Sequence, residues 1–506
     1  MRVKVIAQSY RGLKNLIESK LSGERLKDKV FRGGAWLGVG SAAEQAFRFG
    51  RSMILARLLV PSAFGLMAIV GSTASVLHTI TDIGVKEGLI QHSRGEEDDY
   101  ASAAWWLAFG RSLSLYVLFF SLAPLVARIY KNPELTLLMR VATISVIFDG
   151  IYSCRAYVAL KKMNFSKWTM INSGGGICGI IVTLVLSLLL RDVWALVIGS
   201  VSEGAFRCLF SYIFFPYVPS LRWNRQAIRD LLGFSKGLFG LSFLNLAFAR
   251  TDVFVLGKVF SAAELGIYTM GIYLVQTPVA YLMNTLGQTF LPTFSQIQND
   301  PQRINRILIK TTSMMAMLGL PAFVFVCFSG RSLLTIVLGA RYGAAAIPLM
   351  VGTLVCLINL MNGQITTVFY SIGLPQLHRN CVLLMSILVI GLIYPLAIWL
   401  GLGGGQVACL AAVVAGYLYQ VRRAANVTGL DLGQYWKSLA TPLAISLVMG
   451  AICFGMSFIP GLGHPFLNIV LGAGISLVTY AFSLAYVLQK APNAFVPDVN
   501  QATIPS

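Results

Sequence analysis

Three ionisable residues lie inside the first membrane-length apolar stretch of the sequence. They are Glu44, Arg48 and Arg51, in the segment GGAWLGVGSAAEQAFRFGRSMILAR from Gly33 to Arg57. On an α-helix advancing about 100° per residue they fall within about 60° of one another. One face of that helix is therefore charged. An ionisable side chain at the bilayer centre costs about 2.5–3.5 kcal/mol on insertion scales, so such a stripe must meet water or a partner helix. Glu44 and Arg48 have the i, i+4 spacing of a helical ion pair. Arg51 has no acid at that spacing. The stripe reads either as a structural pair with one extra cation or as a cavity-lining face that suits an anion.

Other ionisable residues fall inside apolar segments: Arg111, Arg140, Asp149, Glu203, Arg207, Arg250 and Asp252. Glu203 and Arg207 again have the i, i+4 spacing and read first as a structural pair. Embedded arginines outnumber embedded acids six to four. Guanidinium forks match phosphate oxygens two at a time and keep their charge at any pH. Arg48 and Arg51, about one turn apart, would straddle a diphosphate. Arg250 stands close to where an internal repeat, described below, puts the counterpart of Arg51. A site for a coupling cation would instead use the carboxylates of Glu44, Asp149 or Asp252, each within about two turns of an arginine.

The second half supplies uncharged polar groups: Asn245, Gln276, Asn284, Asn359, Asn362 and Gln364. These suit sugar hydroxyls, and equally suit hydrogen bonds between helices. Pro278, Pro321, Pro348 and Pro395 predict kinked or broken helices. Gly174-Gly175-Gly176 permits close helix approach or a bend and lacks the strand-to-helix context of a phosphate loop.

The elements that must position these groups are membrane spans. The chain has 506 residues, 56% hydrophobic and 12% charged, against about 25% charged in soluble domains. Its mean hydropathy is +0.72. Fourteen apolar segments are expected, at about 33–54, 63–85, 103–125, 134–155, 168–190, 193–216, 233–256, 264–288, 307–328, 344–371, 380–400, 404–421, 437–459 and 465–488. The fold class expected is all-α and polytopic. Short connections exclude an exposed catalytic domain, and the net charge of +20 lies mostly in alternate loops. With a cytoplasmic N-terminus, 27 Lys and Arg fall on the cytoplasmic side and seven on the other. That bias places both termini inside and argues against nucleic acid as partner. Residues 1–32 lack the apolar core of a signal peptide and read as a basic amphipathic segment on an anionic membrane surface or as a basic tail. The eight cysteines sit singly and the four histidines form no ligand pattern, so neither metal nor cofactor is expected.

An internal repeat is visible at an offset of 201 residues. LARLLVPSAFGLMAI, from Leu55, aligns with LGKVFSAAELGIYTM, from Leu256. Leu55 matches Leu256, Arg57 matches Lys258 and Gly65 matches Gly266. The expected organisation is a basic N-terminal segment (1–32), an N-lobe of six spans (33–216), a linker (217–232) and a C-lobe of six spans (233–421). Two more spans (437–488) and a cytoplasmic tail (489–506) follow. An even number of spans per repeat relates the lobes by an axis along the membrane normal.

LARLLVPSAFGLMAI followed by DIGVKEGLIQ resembles the start of the polysaccharide transporter family, the O-antigen, colanic-acid and teichoic-acid type flippases of the multidrug/oligosaccharidyl-lipid/polysaccharide exporter superfamily. ALKKMNF, ARTDVFVLGKVFSAAELGIYTMG and LPTFSQIQNDPQRINR resemble it further, so the likeness covers about residues 30–420. It implies two six-helix lobes around a cavity, no enzymatic step and no cofactor. It also implies alternating-access export of a polyprenyl-diphosphate-linked oligosaccharide across the cytoplasmic membrane for lipopolysaccharide or exopolysaccharide synthesis. Membrane lipids and polymerase or export machinery are the implied partners. In related lipid-diphosphate flippases, arginines on the first helix of each lobe engage the diphosphate, and Arg48, Arg51 and Arg250 match that placement. Glu44 and Asp252 beside them depart from a purely cationic site. The competing reading on the same fold is a cation-coupled multidrug exporter. A membrane glycan polymerase or ligase would need a longer outer loop than the roughly 15 residues around Arg331 to Arg341.

Overall fold

The computed structural model describes residues 43–81, 84–92, 94–161, 164–220, 226–229, 239–456, 466, 469–478 and 481. The expected N-terminal segment (1–32), the tail (489–506) and much of the linker lie outside these residues. The described chain is helical, and no strand occurs among the described residues. The helices are α1 (43–58), α2 (Pro61–Thr81), α3 (Val85–Gln91), α4 (Asp98–Ile129), α5 (Glu134–Ala142), α6 (Ile144–Gly150), α7 (Cys154–Lys161), α8 (Phe165–Leu190) and α9 (Trp194–Phe214). They continue with α10 (Phe239–Val259), α11 (Ala262–Gln296), α12 (Pro301–Val337), α13 (Ala346–Ser371), α14 (Pro375–Leu400), α15 (Leu402–Thr428) and α16 (Leu432–Met456). The last is α17 (Ile469–Val478).

A helix lies at each of the fourteen apolar segments. Among the described residues nine helices are long and apolar enough to cross a membrane, and one bent pair joins them. The all-α, polytopic expectation is borne out. Large apolar side chains such as Leu189, Trp399 and Leu447 face outward, as a lipid solvent requires.

Local chemistry fixes several boundaries. Ser261 and Glu264 form a reciprocal capping box that starts α11. Asp300 caps α12, accepting from the Arg303 amide at 3.0 Å, with Pro301 in the first turn. Gly401 (φ 62°) turns the chain between α14 and α15, and Gly429 (φ 67°) ends α15. Pro278, Pro321 and Pro395 sit inside unbroken helices, and Pro348 lies in the first turn of α13. The break in the fourth span instead falls where no proline stands: the α5–α6 stretch and α7 meet at 55°. Neighbouring side chains satisfy the backbone there. The Ser211 hydroxyl accepts from the Ser153 amide, and the Ser153 hydroxyl donates to the Phe215 carbonyl.

The chain divides into two units. Unit one holds residues 1–59 and 73–240; unit two holds 60–72 and 241–506. Within unit two, the start of α2 crosses the start of α11 at the two repeat-related glycines. A Cβ on Gly65 would overlap the Ala262 carbonyl, and one on Gly266 would overlap the Pro61 carbonyl. Each would also stand 3.0 Å from the other glycine's amide nitrogen. Every position in this contact has its partner at the 201-residue offset seen in the sequence. The core of unit two gathers Phe294, Leu308, Ile365, Phe369, Ala424 and Tyr435. All eight cysteines are free thiols, six of them buried.

Candidate functional site

In unit one the two i, i+4 pairs form and then join. Glu44 and Arg48 meet at 3.0 Å, as do Glu203 and Arg207. Arg207 also reaches Glu44 at 3.0 Å, and Arg48 reaches Glu203. Four charges from α1 and α9 thus close a neutral ring. Their side chains are 14–30% exposed, so the ring sits within the unit rather than on its surface.

The triple glycine explains how the ring fits. α8 touches both charged helices, and a Cβ on Gly175 would sit 2.8 Å from the Arg207 amide nitrogen. A Cβ on Gly179 would sit 2.8 Å from the Glu203 Cα. Glycines at i and i+4 therefore let the α9 backbone approach until its charges reach α1. Gly176 leaves room for the Glu44 carboxylate, 3.1 Å from where its Cβ would stand. Ser173 adds a hydroxyl donor to Glu44 at 3.2 Å. Ser173 and Gly179 are the members that the reading of single charged residues missed; the small residues at i, i+4 were the signal that could have found them.

Arg207 also lines a cavity of about 330 Å³ inside unit one. Its wall includes Arg111, Asp149, Tyr152, Tyr157, Trp168 and Asn172. Arg111 donates to the His78 carbonyl at 2.9 Å and lies 3.3 Å from the Thr81 hydroxyl. Asp149 is exposed to the cavity and forms no hydrogen bond or ion pair among the described residues; the charges around it are Arg207, Arg111 and Glu203. The structure therefore brings Glu44, Arg48, Glu203, Arg207, Arg111 and Asp149 into one connected polar region. Arg51 is half-buried, about one turn beyond Arg48 on α1. Arg140 stands apart: its guanidinium lies 4.0 Å from the Phe120 ring centroid, and it does not line the cavity. At the end of unit one, outside the spans, Arg94 hydrogen bonds hold the Glu97 carboxyl below its usual range.

Unit two handles its polar groups differently. Asp252 accepts from the Tyr268 hydroxyl at 2.9 Å, and Tyr268 in turn accepts from the Gln406 amide at 2.8 Å. Arg250, two residues earlier, is exposed and forms no ion pair or hydrogen bond among the described residues. Asn362 and Gln364 are buried, and their amide oxygens have no hydrogen-bond partner among the described residues.

The sequence profile of the polysaccharide biosynthesis protein family matches residues 54–347, more than half of the chain. The chain belongs to this family. The resemblance read from LARLLVPSAFGLMAI and its companions is thereby borne out. Relatives within reach of sequence comparison carry matching names. The teichuronic acid biosynthesis protein TuaB of Bacillus subtilis (strain 168) is 24% identical over 81% of this chain and 85% of that protein. The lipopolysaccharide biosynthesis protein WzxC of Escherichia coli (strain K12) is 23% identical over 66% of this chain and 68% of that protein. Among solved structures, the inward-closed lipid II flippase MurJ superposes with a TM-score of 0.73 at 13% identity, covering 90% of this chain and 99% of MurJ. An inward-facing multidrug-resistance MATE transporter of the MOP superfamily gives 0.52 at 14% identity, covering 76% of this chain and 95% of its own. These likenesses identify the fold, which this member of the polysaccharide biosynthesis family shares with flippases and drug exporters.

Proposed function

We propose that this protein is a flippase that carries polyprenyl-diphosphate-linked oligosaccharide units across the bacterial cytoplasmic membrane by alternating access. Both termini are cytoplasmic in this reading, and the product is handed to polymerase or export machinery for surface polysaccharide. Family membership supports the substrate class. The observation that carries the mechanism is Arg250, an exposed guanidinium halfway along an apolar helix that forms no hydrogen bond or ion pair among the described residues, the nearby Asp252 charge being turned to Tyr268. At that depth an uncompensated cation costs about 2.5–3.5 kcal/mol. A diphosphate would offset that cost with paired, charge-assisted hydrogen bonds. In unit one, Arg48 and Arg51 on α1 are proposed as phosphate contacts in their own right. Arg48 engages only by exchanging a carboxylate of its ring for a phosphate, because Glu44 and Glu203 already hold it. No covalent bond is made or broken; the protein shelters charge and sugars while the lipid tail stays in the bilayer.

The test is a strain lacking the protein with its glycosyltransferases intact. Accumulation of the polyprenyl-diphosphate-linked oligosaccharide, with loss of surface polymer, is expected on lipid extraction. An unchanged lipid-linked pool together with new sensitivity to cationic drugs would overturn the reading. It would point to the drug exporter, for which Asp149, a carboxylate facing a cavity without an ion pair, would be the natural cation ligand.

A further inference from the structure

The cavity of unit one has a composition that the diphosphate does not use. One wall is aromatic. The Tyr152 and Tyr157 rings stack with centroids 5.4 Å apart at 30°. Trp168 meets Tyr152 edge-on at 6.3 Å and Tyr157 at 5.8 Å. The charged groups that line it are of both signs: Asp149 and Glu87 on one hand, Lys86, Arg111 and Arg207 on the other, with Arg207 already held by Glu44 and Glu203. The Tyr152 hydroxyl is buried, 8% of the residue remaining exposed, and forms no hydrogen bond of good geometry. The Lys86 ammonium stands 5.3 Å from the Trp168 ring centroid on a flexible stem, free to turn toward an incoming acceptor.

This combination selects a ligand class. An anion is opposed by Asp149 and Glu87, and an apolar cation by Lys86, Arg111 and Arg207. A neutral polyol is opposed by neither, because each hydroxyl both donates and accepts. It can donate to the carboxylates, accept from the cations and satisfy the Tyr152 hydroxyl. A pyranose ring also presents a face of C–H groups, which the negative faces of aromatic rings attract. The volume of about 330 Å³ is at the small end of ligand pockets, so it admits a monosaccharide unit and not a whole repeat. We infer that this cavity is a subsite for one neutral hexopyranose ring. Resting on the flippase reading above, the ring is the sugar next to the diphosphate, since Arg207 lines the cavity and also touches the Glu44–Arg48 ring of charges.

The test uses the purified full chain in lipid nanodiscs and a panel of methyl hexopyranosides, read by saturation-transfer NMR. Neutral glycosides should receive saturation, strongest at the C–H face. Trp168→Ala should weaken binding by about 5- to 10-fold, the scale of one lost aromatic face. Trp168→Phe should recover most of it, and Asp149→Asn should weaken it by about 3-fold. Thermal unfolding of each variant separates lost binding from lost fold, and Asp149→Asn keeps the shape of the side chain. Absence of transfer to every neutral glycoside would overturn the inference, as would transfer unchanged in both Trp168→Ala and Asp149→Asn, or stronger binding of methyl glucuronide. The deletion strain answers separately. Accumulated lipid-linked oligosaccharide with no sugar binding removes the subsite and leaves the flippase. Sugar binding with no accumulation removes the flippase and leaves a sugar site.

Discussion

The two units use opposite polar chemistry. In unit one the interior polar groups are ions: Glu44, Arg48, Glu203 and Arg207 neutralise one another beside a cavity that Asp149 and Arg111 also line. In unit two they are mostly neutral and pair in short chains. Tyr417 and Tyr435 share a hydrogen bond at 2.6 Å, and Thr366, His378 and Gln420 form a triangle of contacts from 3.1 to 3.4 Å. Neutral networks satisfy buried groups at little desolvation cost and hold helices together. A ring of ions is stabilised only while all its members are present, because removing one strands another in a poor solvent. The difference teaches that embedded charge in this fold does two jobs. Rings of paired ions build structure, and a single cation such as Arg250 is the group proposed to meet a ligand.

That contrast can be broken at its strongest point first. Arg250→Ala should abolish export in a complementation assay while leaving the unfolding temperature unchanged. Arg48→Ala should lower both, since it removes a structural member. Equal thermal losses in the two variants would erase the distinction between lone and paired arginines. Next in size, Glu203→Gln leaves Arg48 and Arg207 sharing one carboxylate. A broken buried pair costs about 3–5 kcal/mol, and the partial exposure here reduces this to about 2–3 kcal/mol. Thermal unfolding in detergent measures it, and a loss near zero would mean the ring is solvated. Gly65→Ala pushes a methyl into the Ala262 carbonyl and should cost about 1–3 kcal/mol, the scale of overpacking. Adding Gly266→Ala should cost less than the first substitution, because the helices have already been forced apart. Strict additivity would refute the shared contact. The smallest effect belongs to the neutral side: Tyr435→Phe removes one buried hydrogen bond and should cost about 1 kcal/mol.

Much of this was legible in the sequence, and the exceptions have physical causes. Apolar length located the helices because a bilayer imposes it. Spacing revealed Glu44–Arg48 and Glu203–Arg207 as pairs, since i, i+4 neighbours touch on any helix. Their fusion into one ring was hidden, because it depends on Gly175 and Gly179 letting α8 pack closely against α9. Asp252 looked like a neutralising neighbour of Arg250 by adjacency alone. Residues two apart on a helix point away from each other, so Asp252 turns to Tyr268 on the next helix and leaves Arg250 exposed. Arg140 sits in an apolar segment like the others, yet its partner is the Phe120 ring, a contact that no local spacing encodes. The broken fourth span escaped notice because no proline marks it: Asp149-Gly150 ends α6 inside an otherwise apolar run, and Ser153 and Ser211 support the break.

The crossing of Gly65 and Gly266 has the form of an isologous interface, in which position i meets j and j meets i. Such interfaces normally arise between two identical subunits related by a two-fold axis. Here both partners belong to one polypeptide, so the chain carries a fused homodimer's contact within itself. In a true dimer any substitution at this contact appears twice, once on each side of the axis. A single chain lifts that constraint: each glycine can be altered alone, and the two sides of the contact are free to diverge.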